Sequence, residues 1–106
     1  MSVIDDLVAA LASLRDSLAR LSNRLEAPGL ATRALRGRIR ANEAMKKIAI
    51  QMAAGTMPKV PPPLVTRAFS AGGLVSVAGA EDSAAVKAAL AEAEAVLADC
   101  EELLAG

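Results

Sequence analysis

The feature that most constrains this chain is a leucine seam near its start. Ile4, Leu7, Leu11, Leu14, Leu18, Leu21 and Leu25 recur at spacings of three and four without a miss. Three heptads of that kind describe a helix packed along its length against another helix. The flanking residues agree. Ser2 can cap the first turn, Asp5 and Asp6 lie at the positive end of the helix dipole, and Arg20 and Arg24 lie at the negative end. The pattern predicts a helix over residues 3–26. Its seam can serve the inside of a monomeric bundle or an oligomer interface of coiled-coil type.

The tripeptide Ala27-Pro28-Gly29 reads as a stop, and so short a connector turns the next helix back antiparallel to the first. That second helix is predicted over 31–54, with Leu35, Ile39, Met45, Ala49 and Met52 as its apolar stripe. Gly37 costs about 1 kcal/mol inside a helix, which suggests a close backbone approach there. Arg38 and Asn42 fall near the middle of this stripe and need partners. A third helix is predicted over 82–105, with Val86, Leu90, Ala93, Leu97, Cys100 and Leu104 on one face. The expected fold is a single small all-α domain spanning 1–106. It is an antiparallel helical hairpin plus a third C-terminal helix, coiled-coil-like in its packing.

Residues 55–80 interrupt the helical period. "GTMPKVPPP" favours extended polyproline geometry, and "LVTRAFSAGGLVSV" places apolar residues on both sides of a glycine pair, the chemistry of a short β-hairpin. A flexible linker is the competing reading, but linkers built for flexibility are polar and rich in Gly and Ser. This segment instead carries Val65, Phe69, Leu74, Val75 and Val77, which become the expected partner contact.

Composition excludes much chemistry. There is no histidine, hence neither the commonest general base nor the commonest metal ligand. The single cysteine, Cys100, rules out an intrachain disulfide and any site of several thiolates. It lies on the apolar face among Asp99, Glu101 and Glu102, so it reads as a small buried hydrophobe rather than a reactive thiol. Glu94 and Glu101 stand seven apart on one helix flank, as solvated acidic faces also do. No nucleophile–base set or phosphate loop is present, so no enzyme, metal, cofactor or small-molecule substrate is expected. No apolar run reaches the length of a membrane span, and "MKKIAIQMAAG" (45–55), though it looks like a signal peptide, is mid-chain and broken by Gln51. A soluble protein of the cytoplasm, or of a virion or other assembly, is expected.

The charges sum to zero but are sorted along the chain. Residues 30–79 carry eight basic groups against Glu43, and residues 80–106 carry seven acidic groups against Lys87. Arg33, Arg36, Arg40 and Lys47 share one face of the second helix, either as a phosphate-contacting strip or as an ion-paired face. The basic end of the second helix and the acidic end of the third are each poorly matched to their dipoles, and antiparallel packing is expected to join them. With one aromatic in 106 residues there is little for bases to stack on, so nucleic acid is not the expected partner. The expected function is a non-catalytic, oligomerising structural or adaptor subunit of a larger assembly. It packs through its leucine seam, with itself or with other protein subunits, and contacts neighbours through 58–79. The alternatives are a small regulatory protein binding nucleic acid or an acidic partner through the basic stripe, and a chaperone-like helical hairpin whose seam is open.

Overall fold

The computed structural model describes residues 2–105. Among them the chain forms four helices and no strand: α1 (Val3–Arg24), α2 (Pro28–Ala54), α3 (Pro62–Val77) and α4 (Ser83–Ala105). The helix α1 packs on α2 and α3, and α4 packs on the same two, so the order around the bundle is α1, α2, α4, α3. Short connectors join α1 to α2 and α3 to α4, making two antiparallel hairpins laid face to face in a bundle 44 Å long and about 20 Å across.

The first helix is as its seam predicts. The Asp5 N–H donates to Ser2 Oγ (3.1 Å), and Leu7, Leu11, Leu14, Leu18 and Leu21 are wholly buried, with Ile4 and Leu25 half-buried at the ends. The seam's partners are this chain's own α2 and α3. Pro28 does not end a helix here but begins one. A proline in the first turn gives up no hydrogen bond, because that N–H has no partner within the helix.

The predicted β-hairpin is corrected to a helix. Pro62 and Pro63 occupy the first turn of α3, again where proline is tolerated, and Leu64, Val65, Ala68, Ala71, Gly72 and Val75 recur at helical spacing on its buried face. Gly72 and Gly73 are mid-helix rather than a turn, and among the described residues only Gly55 adopts positive φ. A Cβ on Gly72 would stand 3.6 Å from Leu14 Cα, so this small residue lets α3 lie close against the α1 backbone.

What is extended is the piece before it. Gly55, left-handed at φ 71°, ends α2, with the Thr56 N–H returning to the Gln51 carbonyl (2.9 Å). Residues 55–61 then carry the chain to α3, diagonal to α2 across the bundle end. The six residues after Gly55 reach roughly 20 Å when extended, ample for a diagonal of about 11–14 Å between helices packed 8–10 Å apart. Val60, 2 % exposed, pins this strap to the core.

The extra helix also reverses the expected direction of the last one. In a chain of short up-and-down connections, every second helix points the same way. Inserting α3 therefore makes α4 run parallel to α2, not antiparallel.

The inner stripe of α2 differs from its large apolar residues. Ala34, Gly37, Ala41, Ala44 and Ile48 face inward, while Leu35, Ile39 and Met52 are 42–51 % exposed. The buried face is turned by about one residue, roughly 100°, from the one its larger side chains mark. The reason is the leucines of α1. A Cβ on Gly37 would lie 3.0 Å from Leu18 Cδ1, so α1 supplies the bulk and α2 supplies the space. Nine of the 25 buried apolar residues among those described are alanine, and the only aromatic residue, Phe69, lies outside the core.

Candidate functional site

The polar contacts concentrate on the seam between α2 and α4. Arg33 donates to Glu94 through Nε (3.1 Å) and Nη2 (2.6 Å), and Arg40 donates to Glu101 in the same way (2.9 and 2.6 Å). Both pairs are two-pronged, the geometry in which a planar guanidinium matches a carboxylate. The two arginines are seven apart and so are the two glutamates, which is why parallel helices bring both pairs together at once. At the end of the seam the Gln51 side-chain amide donates to the Leu104 carbonyl (2.7 Å), satisfying one of the acceptors that the end of α4 leaves open. Arg67 on α3 pairs with Asp99, so α4 is tied to both of its neighbours.

These contacts perturb the carboxyl groups. Hydrogen bonding from Arg33 holds Glu94 below its ordinary value of 4.5. Burial opposes that shift, and the charges of Arg33 and Arg40 add to it. Arg40 does the same for Glu101, with Lys47 also contributing. A carboxylate whose pKa is lowered on folding stabilises the native state above its unfolded pKa, and that stabilisation is lost as pH falls through the folded value. Side chains about one-third exposed limit each pair to about 1 kcal/mol or less. A Glu94→Gln/Glu101→Gln variant should therefore be less stable than the wild type by a constant amount above about pH 5. The difference should shrink below pH 4.5, as read from urea unfolding across a pH series. A difference independent of pH would show that the pairs carry no net charge energy.

The basic stripe is thus half committed. Arg33 and Arg40 are held by glutamates, whereas Arg36 and Lys47 are exposed and form no ion pair among the described residues. Arg38 and Asn42 do not lie in the apolar stripe. Arg38 is exposed, and Asn42 is half-buried at the edge of α2, accepting one long hydrogen bond from Arg15 (3.5 Å).

Cys100 is buried, and its thiol is pushed up to about 11 by burial and by the charges of Asp99 and Glu101. It is protonated at neutral pH and unsuited to nucleophilic work. Among the described residues no group of three acidic or cysteine side chains is placed to hold a metal ion, and no helix is long and apolar enough to cross a membrane.

The expected contact segment divides. Val65 and Val75 are core residues on the inner face of α3, while Phe69, Leu74 and Val77 are 47 %, 47 % and 80 % exposed. Leu74 and Val77 line an apolar groove between α3 and α4, floored by Ala85, Ala88 and Ala89 with Glu92 at its edge. On the opposite side of the bundle Leu35, Ile39 and Ile50 stand out from α2. That second patch has a readable sign in the sequence: large apolar residues out of phase with a stripe of Ala and Gly. Among known protein families, curated proteins and solved structures none matches the chain, so its own residues are the whole basis for a functional reading.

Proposed function

We propose that the chain is a non-catalytic, oligomerising structural or adaptor subunit, of the kind that builds a virion, secretion apparatus or scaffold. Its neighbours are held by apolar side chains left outside its own core. One observation carries this reading. The bundle closes around its leucines, yet seven large apolar residues, on α2 and α3, stay 42–80 % exposed. A small monomer gains nothing from such a surface, which favours association. The reading does not draw on the leucine seam, whose residues are buried against α2 and α3 of the same chain.

Two other readings draw less support. A phosphate-binding stripe needs Arg33 and Arg40 free, and a chaperone-like hairpin needs an open seam. Light scattering across a concentration series tests the proposal: mass should rise with concentration above 10.8 kDa. A strict monomer at the highest soluble concentration overturns it.

A further inference from the structure

Resting on that reading, we infer that the partner is a second copy of this chain, docked head to tail, with the outer face of α2 from one protomer in the α3–α4 groove of the next. The argument begins with shape. The groove is apolar and lined by small alanines, Ala85, Ala88 and Ala89, between Leu74 and Val77. A helix can approach closely over such a floor, as α2 does inside the bundle. The α2 face offers what fills it: Leu35 and Ile39, one turn apart, and Ile50 further along, all exposed.

Charge selects the same pairing. The α1–α2 hairpin carries nine basic and five acidic groups through residue 54, and the remainder carries three basic and seven acidic, so the two layers are +4 and −4. Exposed Arg36, Lys46 and Lys47 surround the α2 face, whereas exposed Glu92 edges the groove and exposed Glu81 and Asp82 stand in the connector between α3 and α4. Exceptions stand on both sides: Asp16 and Glu43 near the α2 face, and Lys87 and Arg67, the latter held by Asp99, on the α3–α4 side. Two copies joined through the same face would set like charges against each other. Joined through unlike faces, they set basic against acidic around an apolar centre. Because α1–α2 and α3–α4 are opposite layers of the bundle, each copy presents both faces at once. Such a contact does not close on two copies; it continues into a ring or a filament.

The test uses two variants, each blocking one face at exposed positions: Leu35→Glu/Ile39→Glu on α2, and Val77→Glu/Ala88→Glu in the groove. Circular dichroism checks that helicity is unchanged. Light scattering should show the wild type growing beyond a dimer and each variant alone as a monomer. An equimolar mixture of the two should double in mass, because one intact α2 face meets one intact groove. A wild type that associates while either variant alone does so equally well overturns this docking but leaves the oligomeric reading standing. A mixture that stays monomeric also overturns it, and one variant that dimerises on its own overturns it in favour of a contact between like faces. A monomeric wild type overturns both.

Discussion

Leu14→Ala should lower the unfolding free energy by about 3–5 kcal/mol, the range for leucine truncations that leave a cavity in a packed core. Leu14 is wholly buried at the middle of α1, the helix that touches both α2 and α3. The α3 backbone passes so close at Gly72 that little else can move in to fill the space. A domain of this size holds only about 5–15 kcal/mol in all, so the variant should sit near the edge of folding. Urea unfolding followed by circular dichroism measures the loss, and the same substitution at half-buried Leu25 should cost clearly less. The loss should also be independent of protein concentration. Stability that depends on the seam only between subunits would vary with concentration by mass action, and finding that would move the seam from the monomer core to an interface.

The part of the fold that was legible in the sequence is the part built from large side chains. The α1 seam shows because seven leucine-type residues keep one phase, and the buried face of α4 shows through Val86, Leu90, Leu97 and Leu104. The third helix does not show, for two physical reasons. Its start is written in prolines, which are compatible with a first helical turn as well as with an extended run. Its middle is Gly72-Gly73, which marks a turn in a hairpin and a close approach in a helix; only the neighbour at Leu14 distinguishes them.

Missing α3 had a consequence at a distance. The acidic and basic ends were expected to meet through antiparallel packing, but one more helix reverses the parity, and the pairs form between parallel helices instead. The shared spacing of seven between Arg33 and Arg40 and between Glu94 and Glu101 was present in the sequence, but it aligns two pairs in either direction, Arg33–Glu101 with Arg40–Glu94 or Arg33–Glu94 with Arg40–Glu101, and only the number of helices between decides which forms. The candidate contact surface was legible by half. Phe69, Leu74 and Val77 are outside the core, but Leu35 and Ile39 read as core because a helix with large apolar residues is assumed to bury them.

That assumption gives the second large effect. Ala41→Leu should destabilise the bundle by about 1–3 kcal/mol or more, whereas Ile39→Ala should change stability by no more than about 0.5 kcal/mol. The order is the reverse of what hydrophobicity alone implies. Ala41 is wholly buried in the Ala34–Gly37–Ala41–Ala44 stripe, where α2 approaches the leucines of α1. A leucine there must displace a neighbouring helix or leave its rotamer, and in either case the adjacent Arg40–Glu101 pair is pulled from its two-pronged geometry. Ile39 is 51 % exposed, so trimming it returns little apolar area to water and replaces a β-branched residue with a better helix former. Both variants can be unfolded in urea at low protein concentration, where association does not contribute. If Ile39→Ala costs more than Ala41→Leu, then α2 is rotated by about one residue from its position here. The alanine stripe would then face solvent, and the docking face assigned to α2 would be core.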